Sequence, residues 1–381
     1  MGAVTLGSDD RVRIGIVGLG AVAQAVHLPL LARRPDLFAI EAVADLSPSM
    51  VTLVAERYAV ARRYDTIAGL LADGDVDAVV ILTSGSHGSP AAAALAAGLP
   101  VFCEKPLAYT AEEADALAAA GGRLALGYMK LYDPAVVHAR SLLTDRSPVR
   151  SVEITVLHPA NAAQLAHAHV AHPAGDVPDK TLLALATDAH KLEERALGAA
   201  PSGLRRLYVD VLLGSVVHEL ALVRALVADP VSFEHVDIWP DDRFPPSVAM
   251  HGLLPDGARL AIRWHYLDDY PVYREEVRVH DERGSLSLTF PSPYLLHAPT
   301  ELTMVDGEGH ANGRGEGTSV FRSTVEAFEE ELVAFHRLVT KDEAFAAGIG
   351  EGRTDIVTCQ RIVRCLAERR GLSLGGEAAA A

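Results

Sequence analysis

The stretch Arg11-Val12-Arg13-Ile14-Gly15-Ile16-Val17-Gly18-Leu19-Gly20-Ala21-Val22-Ala23-Gln24 decides the fold. An apolar run of strand character leads into Gly18 and Gly20, and a helical pattern follows. Gly18, Gly20 and Ala23 form G-x-G-x-x-A. The first glycine permits a tight turn, the second lets backbone approach a pyrophosphate, and the small third residue lets helix pack on strand. Phosphates then sit at a helix N-terminus, where free N–H groups and the dipole favour negative charge. Gly18, Leu19, Gly20, Ala21, Val22 and Ala23 are therefore candidate cofactor contacts. Alone, the pattern is generic, and its context decides what it means.

Outward from the turn, Ala21 to Arg34 reads as a crossover helix and Phe38–Ala44 as a second strand. That strand ends in Asp45, 25 residues after Gly20. The spacing is close to the offset of about 20 at which an acid meets the ribose hydroxyls. An acid there repels a 2′-phosphate, and Leu46-Ser47-Pro48 offers no arginine. NAD is favoured, with NADP as the alternative; the plainer reading is that Asp45 caps the next helix. Further strands near Ala59–Arg62, Val76–Thr83, Pro100–Cys103 and Arg123–Gly127 alternate with helices, including a capping box at Thr110–Glu113. Such alternation, with near-continuous apolar strands, predicts a doubly wound parallel sheet. Thr83, Ser84 and His87 follow one strand end, and Glu104-Lys105-Pro106 another. Ligands bind at these C-terminal ends.

A chain of 381 residues allows two domains. We place a Rossmann domain over 10–130, a substrate-binding and oligomerisation domain over 131–370, and a flexible tail over 371–381. The net charge of −16 disfavours nucleic acid and anionic membranes. Met1–Asp10 lacks an apolar signal region and reads as a loose tail. No apolar run approaches the roughly 18 residues that span a bilayer. Three cysteines, Cys103, Cys359 and Cys365, lack C-x-x-C spacing and read as reduced thiols. The expected location is cytoplasmic.

Beyond Asp133-Pro134 the rhythm changes. Val149–Leu157 alternates as a half-buried strand, and a long stretch over 158–202 follows, with a helix near Lys180–Gly198. A helical stretch runs Gly203–Ala228. Strand-like segments come next: Ser232–Trp239, Ser247–Leu254, Arg259–Leu267, Tyr273–Asp281 and Gly284–Phe290. They predict an antiparallel sheet open on one face. A Gly-rich loop over Val305–Thr318 and two helices, Val325–Thr340 and Arg353–Arg370, complete the chain.

These features together resemble the Gfo/Idh/MocA (glucose–fructose oxidoreductase / inositol dehydrogenase) family. The resemblance rests on the glycine turn with His27-Leu28-Pro29, on Asp45, His87 and Glu104-Lys105-Pro106, and on Gly127-Tyr128-Met129-Lys130-Leu131-Tyr132-Asp133-Pro134. It covers roughly residues 11–370. It implies a Rossmann domain, then an α/β domain whose sheet faces the nicotinamide on one side and supports a homodimer or homotetramer on the other. It also implies NAD(P)-dependent oxidation or reduction of a sugar or cyclitol carbinol.

By that resemblance Lys105 takes or orients the substrate hydroxyl proton, and Glu104 positions backbone or cofactor. The bland reading of Lys105 is a surface lysine. Family members also carry D-x-x-x-H on a helix, and His218 fits the histidine. The aspartate position is Gly214, and a later one is Ala221. On an α-helix Ser215 shares the face of His218, and Asp210 lies about 12 Å away along the axis. A second register makes the histidine position Val216 and the later acid Glu219. Tyr128, Lys130, Tyr132 and Ser215 are candidate substrate contacts, with packing as the alternative. His87 is assigned to the cofactor. His158, His167, His169, His172 and His190 lack metal-ligand spacing, so no metal is assigned. The 158–202 stretch reads as a lid or oligomer element, and Asp176, Asp179 or Asp188 can supply a carboxylate in place of Gly214. Two other functions fit: an NAD-retaining lyase or hydrolase acting by transient oxidation, and a catalytically silent dinucleotide-binding regulator.

Overall fold

The computed structural model describes residues 11–144, 146, 148–307 and 317–381. The expected N-terminal tail and most of the expected Gly-rich loop, residues 308–316, lie outside the described residues. Two compact units form, and neither is one continuous stretch. The first comprises Met1–Tyr128, Leu165–Ala196 and Phe328–Ile356; the second comprises Met129–Gln164, Leu197–Ala327 and Val357–Ala381.

In the first unit six strands pair in parallel: β1 (Val12–Val17), β2 (Phe38–Ala44), β3 (Arg62–Tyr64), β4 (Ala78–Ile81), β5 (Val101–Glu104) and β6 (Leu124–Gly127). Their order is β3-β2-β1-β4-β5-β6, the doubly wound order, which reverses direction between β1 and β4. Every residue of β4, β5 and β6 is buried, as expected of a parallel sheet covered on both faces. The connections carry α1 (Leu28–Arg33), α2 (Pro48–Arg57), α3 (Ile67–Asp73), α4 (Gly88–Ala96) and α5 (Ala111–Ala120). Local chemistry starts them: Ser47 caps α2, Thr66 caps α3, and Thr110 with Glu113 forms the capping box of α5. Helices Asp179–Leu197 and Ala327–Lys341 lie almost wholly within the same unit.

The second unit opens with a single turn, Met129–Tyr132, and α6 (Pro134–Thr144). Its sheet contains β7 (Ser151–His158), β8 (Ser232–Trp239), β9 (Ser247–Leu253), β10 (Arg259–Tyr266), β11 (Arg274–His280), β12 (Gly284–Phe290), β13 (Glu301–Asp306) and β14 (Gly317–Arg322). The order is β14-β13-β12-β11-β7-β10-β9-β8, antiparallel except for β7 beside β10. Sequence reading misses β13 and β14, because Pro291, Pro293 and Pro299 break the pattern before them. Along β7, β10 and β11 buried residues alternate with Glu153, Arg263, Glu276 and Arg278, so one face is polar. The expected loose tail is instead fastened. The Gly375 N–H donates to the Leu197 carbonyl at 3.2 Å, Gln360 donates to Glu377 at 2.6 Å, and Ala378 is buried. Low complexity hid this, because the contact is glycine backbone against glycine backbone, Gly375 on Gly198.

Candidate functional site

The glycine turn leaves β1 at the C-terminal edge of the first sheet. Gly18 has φ +91°, and a Cβ there would lie 2.6 Å from the Thr83 nitrogen and 2.7 Å from the Leu82 carbonyl carbon. The fold itself therefore demands this glycine. Gly20 differs: it is exposed, and a Cβ there meets no protein atom within 4 Å. Among the described residues nothing requires its bareness. The chain then turns helical through a π-type stretch, Ala23–His27, into α1.

Asp45 ends β2 beside the turn. Its Oδ2 accepts from the Leu19 N–H at 2.8 Å and its Oδ1 from the Ser47 N–H at 2.9 Å. Each oxygen keeps a further lone pair with which it can accept. Asp45 thus also fixes the turn. Leu19 is buried, so only its backbone faces the turn; Ala21 and Val22 are half-buried and Ala23 is buried.

Lys105 follows β5 on the same edge and is half-buried. Its N–H donates to Glu104 Oε2 at 3.2 Å. Glu104 Oε1 lies 2.8 Å from His27 Nε2, and the His27 ring is buried edge-on against Phe102 and Phe328. Burial pushes the Glu104 pKa up, but the His27 hydrogen bond and the nearby His27, Lys105 and His87 outweigh it and hold the carboxyl below its ordinary value. Glu331 is fully buried nearby; burial, aided by the charge on Glu104, pushes its pKa well above the ordinary carboxyl value.

His87 carries a correction. It was expected against the cofactor, but its ring is enclosed. Nδ1 lies 2.6 Å from the Pro106 carbonyl oxygen and Nε2 2.7 Å from that of Thr83. Burial pushes its pKa down despite those carbonyls. In the neutral ring one N–H serves one carbonyl. His87 thus lies between the Thr83 and Pro106 carbonyls and donates to one of them. Thr83 is half-buried and Ser84 is exposed at the same strand end.

Tyr128, in the first unit, is also corrected. Its side chain is 1% exposed and its hydroxyl donates to Asp355, so it packs rather than meets a sugar. In the second unit Lys130 is 6% exposed, and its ammonium donates to Glu275 and, at 3.3 Å, to Glu219. Burial pulls the Lys130 pKa down, but Glu275 and Glu219 outweigh it and hold it above its ordinary value. Tyr273 donates to Glu275 at 2.7 Å. Glu275 and Tyr273 gave no sequence signal, since they alternate within an ordinary strand pattern. Tyr132 is half-buried at the end of the turn before α6.

His218 is half-buried near the start of helix Val217–Leu226 in the second unit, while Lys105 belongs to the first. Ahead of it runs a ten-residue π-type stretch, Leu207–Val216. Its wider turn invalidates the i−4 and i−3 faces derived from α-helical spacing for Gly214 and Ser215. Ser215 Oγ accepts from Trp264 Nε1 at 2.9 Å. Asp210 sits 3.8 Å from Arg206; burial pushes its pKa up.

The 158–202 stretch divides between the units. His158 stays in the second, stacked on Tyr266, tilted against Trp264 and edge-on to Tyr273. His167, His169, His172 and His190 belong to the first, where His190 faces Glu194 at 3.3 Å. Among the described residues, no three His, Cys, Asp or Glu side chains are grouped to hold a metal ion. Nor is any helix among them long and apolar enough to cross a membrane. Asp176 accepts from Ser47 Oγ at 2.6 Å and from the Ser49 N–H at 2.7 Å, both in the first unit. It was expected as a substitute carboxylate for Gly214, but its two oxygens are engaged at α2.

A doubly wound sheet with a glycine turn, a strand-end acid and a strand-end lysine on one edge defines a dinucleotide-binding α/β protein. The sequence model of the Gfo/Idh/MocA oxidoreductase family, described as having an NAD-binding Rossmann fold, matches residues 12–125. The matched stretch holds the turn, Asp45 and Glu104-Lys105-Pro106, and over it the chain is similar to that family. The inositol 2-dehydrogenase of Acidothermus cellulolyticus is 33% identical over 229 residues, 58% of this chain and 55% of that protein. The rhizopine catabolism protein MocA of Rhizobium meliloti is 36% identical over 136 residues, 34% of this chain and 41% of that one. The chain thus spans about half the length, or less, of these curated relatives. Among solved structures, UDP-N-acetylglucosamine 3-dehydrogenase GnnA from Acidithiobacillus ferrooxidans matches with TM-score 0.68 at 19% identity, over 93% of this chain and 97% of that one. An oxidoreductase from Agrobacterium radiobacter, solved with NAD+, L-tartaric acid and magnesium, matches with TM-score 0.68 at 14% identity, over 94% and 97%. These two share the fold.

Proposed function

We propose that the protein is an NAD-dependent dehydrogenase or reductase acting on a carbinol or ketone of a sugar, cyclitol or sugar derivative. Lys105 carries the reading: it stands at a strand end on the edge of the glycine turn and Asp45, its backbone fixed by Glu104 and the His87 ring packed against the carbonyl of its neighbour Pro106. The sugar or cyclitol class rests on the names of the relatives. Bound NAD supplies the hydride acceptor or donor. Gly20 admits the pyrophosphate, Asp45 takes the ribose hydroxyls, and Lys105 orients the substrate hydroxyl and holds its proton. His218 is assigned to the second proton-transfer step on its family position. Two copies or four assemble through the polar outer face of the second sheet, where acid and base alternate, and the protein works in the cytoplasm.

The test is a screen of sugars and cyclitols with NAD, monitoring reduced cofactor by absorbance, on the wild type and Lys105→Ala. Turnover is expected to fall by about 10²–10⁴-fold in the variant, with its melting temperature unchanged. Absence of nicotinamide binding by calorimetry, or undiminished turnover in the variant, overturns the reading.

A further inference from the structure

The corner after β2 reads Asp45-Leu46-Ser47-Pro48-Ser49 and opens α2. A strand-end acid in this fold faces the ribose hydroxyls, so a 2′-phosphate would lie beside it, over the first turn of the next helix. The donors such a phosphate would use are the Ser47 hydroxyl and the free amides of that turn. They are already taken. Asp176 Oδ1 accepts from Ser47 Oγ at 2.6 Å, and Oδ2 accepts from the Ser49 N–H at 2.7 Å. The Ala174 N–H adds a bond to Ser49 Oγ at 3.3 Å.

The same segment is fastened at its other end. The Gln24 carboxamide pairs with the Ala171 peptide in both directions, donating at 3.0 Å and accepting at 2.9 Å. Its Nε2 also donates to the Leu19 carbonyl at 2.9 Å. Residues 171–176 therefore form a strap stitched first to the helix after the glycine turn and then to α2, on either side of Asp45. Two carboxylates meet on one serine: Asp45 through the Ser47 N–H and Asp176 through its hydroxyl.

We propose that Asp176 is a specificity-determining residue for the dinucleotide: its carboxylate fills the position a 2′-phosphate would take and, with Asp45, sets two negative charges against it. No cation in Leu46–Ser49 offsets them. A ribose 2′-hydroxyl needs only the acceptor that Asp45 provides; a phosphate must displace the strap and meet both charges. The inference rests on the NAD reading above and adds what rejects NADP.

The test is calorimetric titration of the full chain with NAD and with NADP, on the wild type, Asp176→Asn and Asp176→Glu, each checked for folding by its melting curve. The ratio of the NADP to the NAD dissociation constant is expected to fall about tenfold or more in the near-isosteric Asn variant, because a like charge is removed. The Glu variant keeps the charge and is expected to stay near the wild-type ratio. An unchanged ratio in the Asn variant overturns the proposal. Equal shifts in the Asn and Glu variants overturn it too, since strap packing rather than charge would then be responsible. If the wild type binds neither nucleotide, the cofactor reading fails and the proposal with it; if it binds NAD and NADP equally, only the proposal fails.

Discussion

At the residue scale, the two glycines of the turn serve different masters. Gly18 is held by the protein: positive φ and the Thr83 and Leu82 backbone exclude a side chain. Gly20 is exposed, and a Cβ there meets no described protein atom within 4 Å. Gly18→Ala is expected to destabilise the fold by at least the ~1–3 kcal/mol of a strained left-handed residue, read as a lower denaturation midpoint. Gly20→Ala is expected to melt like the wild type yet bind NAD about tenfold or more weakly by calorimetry. A destabilised Gly20→Ala, or one with full affinity, contradicts the division. Both glycines are legible in the sequence, since spacing alone picks them out. Their division of labour is not, because it depends on Thr83, which lies 65 residues after Gly18. The role of His87 was missed for the same reason: a histidine at a strand end reads as a ligand contact until its two carbonyl neighbours are seen.

At the scale of elements, the strands and caps of the first unit were legible because each carries its cause locally. The glutamate on helix Ala327–Lys341 was not: Glu331 lies 227 residues after Glu104, and no local pattern links them. Its chemistry is still testable. Its folded pKa is raised above the unfolded value near 4.5, so in that window the folded state holds a proton the unfolded state has lost. Stability then falls as pH rises from about 4.5, by up to ~1.4 kcal/mol per pH unit. Glu331→Gln removes this slope. The melting temperature of the variant relative to wild type is expected to climb as pH rises from about 5; a difference that stays flat or shrinks rules out the buried neutral acid. In the second unit, Lys130 between Glu219 and Glu275 teaches the same lesson. A lysine in a tyrosine-rich segment looks like a sugar contact until two glutamates from other elements enclose it. The π-type stretch Leu207–Val216 is the harder case, because the face on which Gly214 and His218 were compared assumed α-helical spacing that the chain does not keep.

At the scale of the molecule, both sheets were foreseen in class. The chain's route between the units was not, because sequence adjacency suggests two blocks. Phe102 packs on Phe335 at 5.6 Å, the Arg123 guanidinium donates to the carbonyls of Leu338 and Val339, and the Leu126 N–H donates to the Ala347 carbonyl at 2.9 Å. All of these partners belong to the first unit although they come late in the chain. A fragment ending at Tyr128 therefore leaves aromatic surface and the edge strand β6 uncovered. Such a fragment is expected to show no cooperative thermal transition by circular dichroism; a sharp one would mean that the late segment is dispensable.

The late segment also sets a clock. A ribosome delivers the chain from its N-terminus, and β1 to β6 emerge long before residues 328–356, which close their unit. Until residues 328–356 are made, the β6 edge lacks the Ala347 carbonyl that its Leu126 N–H donates to, and an uncovered edge is a site for pairing with a neighbour. The glycine turn and Asp45, joined by the Leu19 N–H, are already complete in the chain while that sheet still waits for its last helices.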